Sequence, residues 1–217
     1  TTPRYYPDER WSVLSEMIDQ KTLNSNGAYV FPGQGSQVVG MGADLYENSP
    51  AAKDVFDAAD ESLGFPFSDL IFNGPVSKLK DTVNSQPAIM TVSIACLKAM
   101  EEELGADTVT PKLVAGHSLG EYTSMVVAGV VGFGDAVKLV RERGRLMQDA
   151  SIDRPGGMAA IIGLKELALE EICAETGVEL ANINTDDQIV ISGDKIAVAR
   201  AMDLAGARGA RKTIPLS

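Results

Sequence analysis

The run Gly116-His117-Ser118-Leu119-Gly120 constrains this chain more than any other feature. It matches G-x-S-x-G, and its flanks give the match meaning. An apolar segment, KLVAG at 112–116, leads in. An apolar segment of helical character, LGEYTSMVVAGVV, leads out. A chain that passes from strand to helix within a few residues must turn sharply. Glycines at both ends permit the turn and let neighbouring elements approach the backbone. The serine hydroxyl then stands at the top of a sheet and at a helix N-terminus, where the dipole favours negative charge. That is a nucleophile's position. The competing reading is a tight turn whose serine only caps a helix.

The rest of the chain alternates in the same way. AYVF (28–31) reads as a short buried strand, followed at once by the glycine-rich turn PGQGSQ (32–37). Residues 43–63 show helical spacing, with Leu45, Val55, Phe56, Ala59 and Leu63 as apolar positions. The segment 87–104 predicts a strong helix, opened by Pro87 and closed before Gly105. A helix from Leu119 to about Val130 and another over 135–150 follow. Strands alternating with helices indicate an α/β layered domain with a parallel sheet, and with the G-x-S-x-G turn the expected core is α/β-hydrolase-like.

The pattern changes near Pro155. Strand (157–164), helix (165–176), strand (178–184), strand (188–193), helix (194–207) and strand (210–216) follow in order. This β-α-β-β-α-β sequence predicts a small ferredoxin-like α+β subdomain. The expected organisation is an N-terminal extension over 1–26, an α/β core over 27–154 and the subdomain over 155–217. Within the extension, Trp11 to Met17 reads as a short helix and NSNG (24–27) as a turn.

Composition narrows the function classes. The formal charge is −11, from 19 basic and 30 acidic residues. Phosphate backbones and anionic membranes both want a basic surface, so neither nucleic acid nor membrane is expected as a partner. Cys96 and Cys173 lie in helix-like stretches and read as buried thiols of a reducing compartment. With His117 as the one histidine, no zinc site can be assembled. The start, TTPRYYPDERW, lacks the apolar segment of a secretory signal, and no run is long enough to span a membrane. A cytoplasmic protein is expected.

Several residues beside the serine carry chemistry. Gln34 sits between two glycines, where the turn exposes N–H groups. Leu119 follows the serine and has its N–H at the helix start. Both suit an oxyanion hole. A phosphate loop is the rival for the turn, but neither G-K-[ST] nor G-x-G-x-x-G is present. Arg143, in the helical run RERGRLMQ, offers a fork for a carboxylate or is a solvated helix charge. Its neighbours Arg141 and Arg145 read as solvated charges. His117 is a poor base for Ser118, because adjacent side chains on a tight turn point apart and a base needs hydrogen-bond reach.

GHSLGE (116–121) and FPGQGSQ (31–37), with NSQPAI (84–89), RERGRLMQ (141–148) and ANIN…QIVISG (181–193), occur in order. On these motifs the chain resembles the acyltransferase family of fatty-acid and polyketide synthesis, from about Ala28 to Ser217. The resemblance implies transfer of a malonyl group from malonyl-CoA to the phosphopantetheine thiol of an acyl carrier protein, through an ester on Ser118, with no cofactor. It places Gln34 and Leu119 at the oxyanion, and has Arg143 hold the malonyl carboxylate. It puts Gln86 and Asn184 near the acyl pocket, where local capping is the alternative, and makes His117 a packing residue beside the nucleophile. It also implies a second histidine, the base, a few residues after the last strand of the small subdomain. The sequence stops at IPLS (214–217), short of that place. Two other readings stay open: a serine esterase or thioesterase of related fold, and a non-catalytic module derived from the acyltransferase. Arg200, Arg208, Arg211 and Lys212 stand against Asp203 near the end of the chain, and form a candidate cationic face for acidic partners.

Overall fold

A computed structural model describes residues 27–106 and 110–216. The extension, its Trp11–Met17 helix and most of its NSNG turn lie outside the described residues. The described residues fall into two compact units, divided between Gln148 and Asp149.

In the first unit, strand β1 (Ala28–Phe31) pairs in parallel with β2 (Leu113–Gly116), Phe31 opposite Gly116. The parallel pairing agrees with the sequence pattern. Around it lie helices α1 (Ala43–Asn48), α2 (Pro50–Leu63), α3 (Phe67–Asn73), α4 (Val76–Lys80), α5 (Thr82–Leu104), α6 (Leu119–Val127) and α7 (Phe133–Asp153). The last turns of α7 cross the division between the units. Phe56, Phe67, Ile71, Leu79, Met90, Leu119 and Val140 are buried together and form the core.

Three expectations need correction here. Residues 43–63 form two helices rather than one, because Ser49 is extended ahead of Pro50 and its side chain caps α2 at the Ala52 N–H. Helix α5 starts at Thr82, not at Pro87. The N–H groups of Asn84 and Ser85 both donate to the Asp81 carbonyl at 2.9 and 2.8 Å and close a first turn upstream of the proline. The polar stretch Asn84-Ser85-Gln86 is buried inside that turn, contrary to its loop-like composition. Cys96 is exposed on α5, whereas Cys173 is buried. Helices α3 and α4 are too short for periodicity to reveal.

The second unit contains β3 (Gly156–Ile162), α8 (Glu166–Thr176), β4 (Glu179–Thr185), β5 (Gln188–Asp194), α9 (Lys195–Ala207) and β6 (Lys212–Leu216). The four strands form one antiparallel sheet in the order β4-β5-β3-β6. Alternate residues of β3 and β5, among them Ile161, Ile189 and Ile191, bury against Leu169 and Ile172 of α8 and Val198 and Ala201 of α9. Asp194 caps α9 by accepting from the N–H groups of Ile196 and Ala197.

Candidate active site

Ser118 has φ 54° and ψ −109°, and is the only non-glycine residue with positive φ among the described residues. Such a conformation costs on the order of 1–3 kcal/mol and persists only where its surroundings enforce it. They do so here. The His117 N–H donates to the Phe31 carbonyl at 3.1 Å, tying the turn to the end of β1. The N–H groups of Gly120 and Glu121 donate to the carbonyls of His117 and Ser118 at 2.9 and 3.2 Å. Two glycines make these approaches possible. A Cβ on Gly116 would fall 1.9 Å from the Gly120 carbonyl, and one on Gly120 would fall 2.2 Å from the Phe31 oxygen.

Ser118 is exposed. Leu119, the first residue of α6, is fully buried, and its N–H has no acceptor within the helix. Arg143 reaches the serine from α7, with its Nη2 donating to Ser118 Oγ at 3.0 Å. Its Nη1 donates to Gln86 Oε1 at 2.5 Å. The guanidinium also lies 5.6 Å from the centre of the Tyr122 ring, on α6. Two arms of one planar group are thus committed to two acceptors, and the fork is held in one orientation at the nucleophile.

Gln86 is fully buried. Its amide oxygen is engaged by Arg143 and its Nε2 donates to Met147 Sδ at 3.2 Å. It therefore stands behind the arginine. Gln34 is exposed and donates to Thr82 Oγ1 at 3.3 Å, which joins the glycine-rich turn to the start of the helix that carries Gln86. Next to Gln34, the Gly35 N–H is taken by Gln37 Oε1 at 2.9 Å. The His117 ring lies against Gly33, whose Cβ would fall 2.8 Å from Nδ1. Asn184 belongs to β4 of the second unit, is exposed, and lies 3.5 Å from Gln188 Oε1. Ser118, Arg143 and Gln86 are thus brought together, and Gln34 and His117 are fixed to the loops beside them.

The close approach of α7 to α5 depends on Gly144. A Cβ there would meet the Thr82 carbonyl oxygen at 2.5 Å and Val83 Cα at 2.8 Å. Sequence reasoning passed over this glycine, and over Met147 and Tyr122. Arg143 and Met147 are four apart on a helix, a spacing that places both on one face. Arg141 is not the solvated charge expected of it. It is half-buried, donates to Asn84 Oδ1 at 3.0 Å, and stacks on Phe65 with its guanidinium carbon 4.6 Å from the ring centre. Burial lowers its pKa. Arg145 does pair at the surface, with Glu142. The candidate cationic face is also partly neutralised: Arg208 pairs with Glu175 and Arg211 with Asp187.

Among the described residues, no group of three or more His, Cys, Asp and Glu is arranged to hold a metal, and no helix is long and apolar enough to cross a membrane.

Residues 28–214 match the family model described as acyl transferase domain. The malonyl CoA-acyl carrier protein transacylase of Bacillus subtilis strain 168 is 48% identical over 194 residues, which are 87% of this chain and 60% of that protein. The acyl-carrier-protein-S-malonyltransferase of Bartonella henselae superposes with a TM-score of 0.82 at 43% identity, over 88% of this chain and 62% of that one. A malonyl-transacylase in complex with a type II PKS acyl-carrier protein superposes with a TM-score of 0.81 at 42% identity, over 89% of this chain and 63% of that one. The chain spans about 60% of the length of the curated relatives it matches.

Proposed function

The chain belongs to the acyl transferase domain family, and from that premise we propose that its protein moves a malonyl group from malonyl-CoA to the phosphopantetheine thiol of acyl carrier protein. The observation that carries this reading is the Arg143 guanidinium held at Ser118 Oγ. A fixed cation beside a nucleophile suits an acyl group that ends in a carboxylate. A simple esterase has no use for it.

Ser118 attacks the thioester carbonyl and CoA leaves as its thiol. The carrier thiol then attacks the Ser118 ester and restores the serine. The Leu119 N–H and the backbone at Gln34 stabilise the oxyanion in both halves. Arg143 pairs with the free malonyl carboxylate and exchanges its contact with Ser118 Oγ for that ion pair. Gln86 holds Arg143, and His117 packs the turn. Arg143 and Gln86, the groups joined here to the serine, are not bases, and the proton acceptor is the second histidine that the family resemblance implies. The reaction needs no cofactor and belongs to the cytoplasm. The family's relatives with malonyl CoA-acyl carrier protein transacylase names support both substrates, and the carrier complex supports the partner.

We read residues 27 to 154 as an α/β-hydrolase-like core, and residues 155 onward, which carry β3-α8-β4-β5-α9-β6, as a ferredoxin-like subdomain. The strand order of the second sheet supports the latter.

The whole protein is incubated with malonyl-CoA and digested for mass spectrometry. The Ser118 peptide should gain one malonyl group, and Ser118→Ala should gain none. A wild type without the adduct, or an adduct that survives in Ser118→Ala, excludes the proposal.

A further inference from the structure

We infer that Met147 is a positioning residue for the arginine that reads the acyl carboxylate, acting through Gln86. The inference rests on the proposed malonyl transfer and goes beyond it. Gln86 is fully buried, so its amide oxygen and its amide N–H groups all need partners within the protein. The oxygen is taken by Arg143 Nη1 at 2.5 Å and the nitrogen donates to Met147 Sδ at 3.2 Å. Arg143 and Met147 are four residues apart on α7, so one helix grips both ends of a side chain that belongs to α5.

This bracket has a direction. Turned by 180°, the amide would place its NH2 against the guanidinium, donor against donor, and its oxygen against the sulfur lone pairs. Arginine has donors only, and a thioether has only a weak acceptor, so both ends select the same orientation. That orientation presents the amide oxygen to Nη1 and leaves Nη2 aimed at Ser118 Oγ at 3.0 Å. The Gly144 contact with Thr82 and Val83 sets the separation of α7 and α5 across which the bracket works.

Met147 is exposed on α7, and Met147→Leu keeps its volume and apolarity but removes the acceptor. Met147→Gln returns one. Gln86 then loses a partner in the first variant and regains it in the second. Loss of one neutral hydrogen bond corresponds to roughly three- to ten-fold in an equilibrium. The Met147→Leu protein should show KM for malonyl-CoA raised by about that factor with kcat nearly unchanged, because the carboxylate contact is made in ground and transition states alike. Transfer of an acetyl group, which offers no carboxylate, should stay at the wild-type level, and Met147→Gln should recover the malonyl KM.

Equal losses on malonyl and acetyl substrates, or an unchanged malonyl KM in Met147→Leu, overturn the inference. The Gln86 side-chain amide resonances give a readout that does not depend on turnover. They should shift in Met147→Leu and return towards wild type in Met147→Gln. Unchanged resonances in Met147→Leu overturn it as well. A wild type without malonyl transfer removes the proposed function instead, and the resonances then still decide whether the sulfur holds Gln86.

Discussion

Arg143 Nη2 lies 3.0 Å from Ser118 Oγ, although the two residues are 25 positions apart, one in the turn between β2 and α6 and the other on α7. A permanent cation at that distance does two things. It lowers the cost of a serine alkoxide, and it waits where the far end of a dicarboxylic acyl group would arrive. It cannot remove the serine proton, because a guanidinium only donates.

Arg143→Lys separates these roles. Lysine keeps the charge but has no fork to span Gln86 Oε1 and Ser118 Oγ together. Malonyl transfer should fall by about 10- to 100-fold, the scale of a charged hydrogen bond. Acetyl transfer should fall by much less. Measured kcat/KM values for the two acyl-CoA substrates check this. Equal falls would remove the carboxylate role.

Gly120 offers a prediction about the fold rather than the chemistry. Its Cβ would stand 2.2 Å from the Phe31 oxygen and 2.9 Å from the Pro32 oxygen. Both are backbone atoms and cannot rotate aside. Gly120→Ala must therefore part β1 from α6 or distort the turn that holds Ser118. Unfolding in urea should show a loss of about 2–4 kcal/mol, in the upper range for a single methyl group. Gly129→Ala is an instructive contrast. It has φ +72° but open space around it, so it should lose less, through backbone strain alone.

The serine turn was legible in the sequence because its demands are local. A strand, a helix and two glycines within five residues leave few geometries. The four strands of the second unit were legible for a similar reason, since each alternates or runs apolar between turn residues. What escaped was polar burial. NSQ at 84–86 has the composition of a loop, yet Asn84 and Gln86 face Arg141 and Arg143, partners more than fifty residues away. No periodicity records such a pairing. Arg141 reads as a solvated charge for that reason, and Pro87 reads as a helix start although three buried polar residues precede it in the same helix. Gly144 carried a usable sign, a glycine in mid-helix, where it costs about 1 kcal/mol relative to alanine and so needs a packing reason.

Cys96 is exposed as a residue, yet its thiol has a raised pKa, chiefly from desolvation of the thiol itself and secondarily from the Asp44 carboxylate. The sign is unfavourable for thiolate. At pH 8 less of it is ionised than in an ordinary cysteine, and reaction with iodoacetamide should be slower than for a model thiol of similar access. The rate should keep rising with pH beyond the range in which the model thiol levels off. A rate that levels off at lower pH than the model thiol would contradict the assignment. Because Cys96 is not among the contacts of Ser118, its modification should leave serine acylation intact.

Gly144→Ala tests whether helix packing, and not only the arginine itself, sets the geometry at Ser118. The added methyl would lie 2.5 Å from the Thr82 oxygen and 2.8 Å from Val83 Cα, at the start of the helix that presents Gln86. Alanine favours a helix over glycine by about 1 kcal/mol, so the substitution helps α7 locally. The clash opposes that gain, and its relief requires α7 to move away from α5. Arg143 and Met147 move with α7, whereas Gln86 stays on α5. The bonds Arg143–Gln86 and Gln86–Met147 therefore lengthen together, and Arg143 loses its fixed approach to Ser118. The expected result is a malonyl-CoA kcat/KM lowered by at least about 10-fold, accompanied by a stability loss of only about 1–2 kcal/mol in urea unfolding. Acetyl transfer should suffer less than malonyl transfer, because Ser118 itself is held by β1, β2 and α6, which the methyl does not touch. Equal kcat/KM losses for the two substrates would mean that the displacement reaches the serine turn. Wild-type malonyl kinetics would mean that the fork tolerates a shift of α7.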